Sequence, residues 1–120
     1  MNENRSSKRY DLEERTLRFA QGVMEFVSIL PKTVVNAEVI KQIIRSSGSV
    51  GANYIEANES LSKKDFAMRI KICRKEAKES CYWLKLIEAR GEDREKKRQS
   101  LITEATERMK IFGAIIEKVK

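Results

Sequence analysis

"RSSGSVGANYIEAN", Arg45–Asn58, holds two glycines, three serines and two asparagines in a chain otherwise rich in helix formers. Such a composition suits either a glycine-rich loop around a phosphate or a helix that a neighbour approaches closely. The surrounding residues decide between them. Val39, Ile40, Ile43, Ile44, Val50, Tyr54 and Ile55 keep a helical period through the stretch. A phosphate-binding P-loop needs GxxxxGK[ST] between a strand and a helix, with the lysine reaching the phosphates. Here Gly48 and Gly51 are three residues apart, no lysine follows them and no strand-like run precedes them. A dinucleotide GxGxxG is absent as well. The stretch therefore reads as helix. Glycine inside a helix costs about 1 kcal/mol against alanine. Ser47, Gly48, Gly51 and Ala52 are accordingly expected to form a thin surface under a close neighbour, or a local kink.

Working outward, Pro31 ends a first helix, because it lacks an N–H and clashes with the preceding turn. That helix is expected to start at Asp11, with Glu14 completing a pattern close to a capping box. Its apolar stripe is Leu12, Thr16, Phe19, Val23, Phe26 or Val27, and Leu30. The second helix begins near Thr33 or Asn36. Ser62, with Asp65 three residues on, opens a third, whose seam is Phe66, Ile70, Cys73, Ala77, Ser80 or Cys81, Leu84 and Ile87. Gly91 suits the residue just past its end. Asp93 is expected to cap a fourth helix with the stripe Leu101 or Ile102, Ala105, Met109, Phe112, Ile116 and Val119. Four long helices with short connections predict an all-α protein, an antiparallel up-down-up-down four-helix bundle. Residues 1–10 read as a flexible, mildly basic tail and residues 11–120 as one domain.

Composition narrows the function classes. The 120 residues carry a net charge of +7, and 36% are charged. A pI near 9.5 suits polyanionic partners. There is no histidine, which removes the commonest metal ligand and general base. Cys73 and Cys81, on one helix, would lie roughly 12 Å apart, too far for an intrachain disulfide. Both read as small core residues. Two thiols without a framework, and no apolar leader or membrane-length run, predict a cytoplasmic protein.

The third helix carries two further patterns. Ile72, Trp83 and Leu86 lie off its seam beside Arg69, Glu76, Glu79 and Tyr82, and an apolar patch mixed with charges predicts an oligomer interface. Glu76 and Glu79 are one turn apart, but di-metal bundles pair glutamate with histidine; ion pairing is the expected role, with no metal or cofactor. Lys64, Lys71, Lys78 and Lys85 recur every seven residues and trace a solvent-facing line of about 31 Å. Arg74 and Lys75 flank it. Arg94, Lys96, Lys97 and Arg98 make a second basic cluster at the start of the fourth helix. Such surfaces can follow a phosphate backbone, RNA or DNA, without reading bases.

Leu30-Pro31-Lys32, then "IIRSSGSVGANYIEANES", then "KDFAMRIKICRKEAKESCYWLKLI" resemble a bacterial four-helix bundle family that includes proteins encoded by intervening sequences in 23S ribosomal RNA genes. The resemblance spans about Asp11 to Val119. Its most specific parts are Asn53 and Glu56, and Lys75, Glu76, Ala77, Glu79, Tyr82, Trp83 and Leu84. Where the family usually shows NIAEG, this chain reads Asn53-Tyr54-Ile55-Glu56-Ala57. The resemblance implies a ring-like homopentamer. It extends to the accessory variability protein of diversity-generating retroelements, a basic pentamer that binds reverse transcriptase and nucleic acid, so a reverse transcriptase or another protein is an implied partner. It also implies that Asn53 and Glu56 are held by hydrogen bonds across helices.

Together these readings predict a non-catalytic, oligomeric, nucleic-acid-binding bundle with no membrane partner. An oligomeric protein-binding scaffold is the alternative.

Overall fold

A computed structural model describes the backbone of residues 3–119 and the side chains of residues 11–119. It contains α1 (Glu3–Ser28), α2 (Val34–Asn58), α3 (Lys63–Leu86) and α4 (Glu92–Lys118). Each helix packs on its neighbours in sequence, and α1 closes against α4, giving a rod of 49 × 23 × 19 Å. There is no strand among the described residues.

Several helix ends fall where side-chain chemistry puts them. Thr33 caps α2 by accepting from Asn36 N at 3.1 Å. Ser62 caps α3 by accepting from Asp65 N at 3.0 Å. Two ends differ from expectation. The first helix begins at Glu3, and Asp11 lies inside it, paired with Arg15 one turn on at 3.7 Å. Residues 3–10 contain neither proline nor glycine, so nothing in them stops a helix. At the other junction, α3 ends at Leu86 because Ile87 takes an extended backbone and buries its side chain in the core. Gly91, at φ 95°, is then the N-cap of α4, and Asp93 sits in the first turn with Glu92 and Glu95. Three carboxylates there suit the positive end of the helix dipole.

The core has two apolar clusters with a polar waist between them. One gathers Phe19, Val23, Phe26, Val39, Ile43, Leu84 and Leu101, and the other gathers Leu12, Val50, Tyr54, Ile70, Cys73, Phe112 and Ile116. Between them every helix contributes a buried polar side chain: Thr16 from α1, Ser46 and Ser47 from α2, Ser80 from α3 and Arg108 from α4. Ser80 Oγ donates to Ser46 Oγ at 2.9 Å across the waist. Hydroxyls in such a place must find partners, because an unsatisfied one costs about 1–3 kcal/mol.

The opening stretch is helical throughout. Gly51 does face a close neighbour: a Cβ placed there would stand 3.0 Å from Thr16 Oγ1. Gly48 and Ala52 do not, since both point to solvent and a Cβ on Gly48 would meet nothing within 4 Å. Ile44 and Ile55, among the residues that keep the helical period of α2, are 43% and 53% exposed. The apolar run of α2 is wider than the face its neighbours cover.

Candidate nucleic-acid interface

α3 carries eight Lys/Arg against three Asp/Glu, and its helical period sorts them onto two sides. On the outer side Lys64, Lys71, Lys75, Lys78 and Lys85 are exposed, and none takes part in an ion pair among the described residues. The seven-residue line of Lys64, Lys71, Lys78 and Lys85 thus stands on the surface as a row of uncompensated cations. Arg74 is exposed beside it, its Cδ 3.9 Å from where a Cβ on Gly113 of α4 would sit. Lys96 and Lys97 are also exposed, at the start of α4.

Arg98 belongs to a different arrangement. It is half-buried, donates to Leu84 O and Lys85 O at 3.2 and 3.1 Å, and pairs with Glu95. It therefore caps the last carbonyls of α3 and holds the α3–α4 junction. Arg94 likewise donates to Arg90 O at 3.2 Å.

The inner side of α3 is a polar ladder against α2. Arg69 donates to Asn53 Oδ1 at 3.0 Å, and Asn53 Nδ2 donates to Ser49 O at 2.9 Å. Glu76 is buried and accepts from Arg45 at 3.2 Å and from Ser49 Oγ at 3.3 Å. Glu79 accepts from Arg45 and from the Trp83 indole N–H. That indole bond, together with Arg45, holds the Glu79 carboxyl below the usual carboxylate range against the opposing effect of burial. The hydrogen bond to Glu76 raises the Arg45 guanidinium in turn; burial opposes it, and Glu79 adds a further raising contribution. Ile72 and Trp83 are half-buried, and Trp83 packs on the first core cluster. Of the residues expected at an oligomer interface, Arg69, Glu76, Glu79 and Trp83 thus have partners within the chain. Tyr82 and Leu86 remain 58% and 53% exposed, and Met68, in the first two turns of the same helix, is 51% exposed.

Asn53 meets the expected cross-helix bond. Glu56 does not: it is exposed, with no side-chain hydrogen bond among the described residues. Three residues turn the helix by about 300°, so Glu56 sits roughly 60° around the axis from Asn53, on the solvent side of the groove where Asn53 meets Arg69. Sequence reading also missed Asn36. Buried at the end of the bundle, its side chain donates to Pro31 O at 3.1 Å and Glu88 O at 3.2 Å, and accepts from Glu88 N at 3.3 Å. It ties the α1–α2 loop to the α3–α4 loop. Only the cap pattern at Thr33 marked it, and that gave no hint of a partner 52 residues away.

No group of three or more potential metal ligands occurs among the described residues. Cys73 and Cys81 are buried and free, and burial pushes the Cys73 thiol up to about 12. Among the described residues no helix is long and apolar enough to cross a membrane.

Comparison with known proteins agrees with this architecture. A solved structure from Bacteroides thetaiotaomicron VPI-5482, a protein with unknown function from the S23 ribosomal protein family, is 31% identical with a TM-score of 0.77. The match covers 92% of this chain and 98% of that one. Comparison with curated proteins gives no match. The family profile described as 23S rRNA-intervening sequence protein matches residues 8–114. The four-helix bundle described above belongs to the 23S rRNA-intervening sequence protein family.

Proposed function

We propose that this protein is a non-catalytic, homo-oligomeric bundle that binds the backbone of RNA or DNA through the outer face of α3. The observation that carries the reading is the row of exposed lysines Lys64, Lys71, Lys78 and Lys85, none in an ion pair among the described residues, with Lys75 and Arg74 beside it. Cations at this spacing meet phosphates by charge, and without base-reading side chains the affinity follows charge and shape. Oligomerisation repeats the row, and weak contacts then add through avidity. The family's link to 23S rRNA genes supports RNA as the first ligand to test. The absence of histidine and the burial of both thiols support a binding role over a catalytic one.

Exposed Met68, Tyr82 and Leu86 on the same helix favour a second reading, a scaffold for another protein. Salt separates the two, because phosphate contacts release counterions. The test measures binding to structured RNA, single-stranded RNA and duplex DNA from ~50 to ~300 mM salt, for the protein and for Lys71→Glu/Lys78→Glu/Lys85→Glu. A steep salt slope, lost in a variant of unchanged oligomeric mass, is the expected result. Absence of binding at ~100 mM salt, with the oligomer intact, overturns nucleic-acid binding and leaves the scaffold.

A further inference from the structure

α2 turns toward solvent a stripe that the rest of its chain leaves uncovered. Lys41, Gly48, Ala52 and Glu59 run along its middle, all exposed. On the flank toward α1 stand Ile44 and Ile55, and there Leu17 and Met24 of α1, 52% and 60% exposed, extend the apolar surface. On the flank toward α3 stand Arg45 and Glu56. Contiguous exposed apolar side chains of this kind mark an interaction surface.

The order of these residues identifies the occupant. Lys41 and Glu59 lie nine residues either side of position 50, and Gly48 and Ala52 lie two either side. Ile44 and Ile55 are six and five away, on one flank; Arg45 and Glu56 are five and six away, on the other. Running the helix backwards over itself therefore sets lysine against glutamate, glycine against alanine, isoleucine against isoleucine and arginine against glutamate. A two-fold axis through the contact keeps each flank against its own kind, as an isologous interface requires. A parallel copy would set Lys41 on Lys41 and Glu59 on Glu59. We infer that α2 packs antiparallel on α2 of a second copy of this chain, about a two-fold axis at position 50.

The pairing accounts for two features that the single chain leaves without a role. Gly48 sits in a helix interior and costs about 1 kcal/mol there, yet a Cβ on it would meet nothing within 4 Å; at the crossing it lets the second helix approach. Glu56, with no side-chain hydrogen bond among the described residues, comes opposite Arg45, whose guanidinium also holds Glu76 and Glu79. The inference rests on the oligomeric part of the reading above and is independent of nucleic-acid binding. A ring uses head-to-tail contacts, so in a ring this two-fold contact joins one ring to another.

The test is the mass in solution of the full chain and of Lys41→Glu, Glu59→Lys and the double variant. Both positions are exposed, and the Lys41–Glu38 pair that the first variant removes is a surface contact of 3.7 Å, worth little to folding. The expected wild-type mass holds an even number of chains. Each single variant weakens the pairing roughly tenfold and shifts the mass toward half, and the double variant restores it. Lys41 and Glu59 are ~27 Å apart along one helix, so rescue reports a contact between copies. Equal oligomer mass in all four proteins overturns this pairing and leaves the oligomeric reading standing. A wild-type monomer up to ~100 µM overturns both. RNA binding, read in the same samples, stands or falls separately.

Discussion

Gly51 of α2 and Thr16 of α1 meet so closely that a Cβ on Gly51 would stand 3.0 Å from Thr16 Oγ1 and 3.3 Å from Thr16 Cβ. Thr16 is buried and its hydroxyl already donates to Glu13 O at 2.9 Å. Moving that hydroxyl aside would break the bond at a buried position. Gly51→Ala is expected to lower stability by about 1–2 kcal/mol, overpacking outweighing the better helix propensity of alanine. Gly48→Ala meets open space and is expected to raise the stability of the dissociated chain by about 0.5–1 kcal/mol. Urea unfolding of dilute samples compares them, and equal effects at the two glycines would contradict the assigned contact.

Asn36 holds two loops with three side-chain hydrogen bonds. Asn36→Ala leaves Pro31 O, Glu88 O and Glu88 N without that partner at a buried end of the bundle. The expected loss is about 2–3 kcal/mol, with Asn36→Asp no better, because a carboxylate cannot donate to the two carbonyls. A loss under ~0.5 kcal/mol in thermal unfolding would show that water replaces the amide at no cost.

Arg108 is buried in the waist, its Nε and Nη1 without a hydrogen-bond partner among the described residues. Burial, then the charge of Arg15, lowers its pKa against the attraction of Glu107, Glu104 and Asp11. Replacement of such a charge by an apolar side chain of similar length removes a desolvation penalty. Arg108→Met is expected to stabilise the fold by about 1–3 kcal/mol, read as a higher urea midpoint. Destabilisation would mean that the guanidinium has a partner in the working assembly.

The Glu79 carboxyl is held below its usual range first by the Trp83 indole N–H and then by Arg45. A depressed folded-state pKa contributes stability above the unfolded value of about 4.3, which is lost as pH falls through the folded value. Glu79→Gln is thus expected to be less stable than the parent at pH 7 and to converge with it in acid, below the usual carboxylate range. A pH-independent difference in urea midpoint would assign the effect to packing.

Cys73 is buried, and burial pushes its thiol up to about 12. The folded protein keeps that proton through the range where an unfolded thiol near 8.5 loses it, so this contribution to stability is present below pH 8.5 and fades as pH rises toward 12. Native alkylation by iodoacetamide at pH 8 is expected to be at least ~100-fold slower at Cys73 than in urea, because the thiolate is the nucleophile. Comparable rates would place the thiol in contact with solvent.

Much of the fold is legible in the chain itself. The core stripes of the first, third and fourth helices, the stop at Pro31 and the caps at Thr33 and Ser62 follow from periodicity and from local hydrogen-bonding chemistry. The lysine row of α3 is legible for the same reason, since a seven-residue repeat places residues on one side of any helix. Glu76, Glu79 and Trp83 were less legible. Their pattern of charge with aromatic surplus suggests an interface between chains, and only the proximity of Arg45, 31 and 34 residues earlier, reveals the partners that Glu76 and Glu79 have between helices of one chain.

The sequence by itself therefore determined four helices, their approximate ends, their inward stripes and a basic outer row, because each rests on residues within a few turns of one another. Tertiary structure alone decided which of the two glycines is crowded, that Ile44 and Ile55 lie outside the core, that Asn36 joins two loops, that Arg98 caps another helix and that Arg108 is buried. Each of those depends on which distant backbone comes within a few ångströms. The rotation of a helix by a few tens of degrees about its axis settles that, and an apolar stripe wider than its partner's face leaves that rotation open.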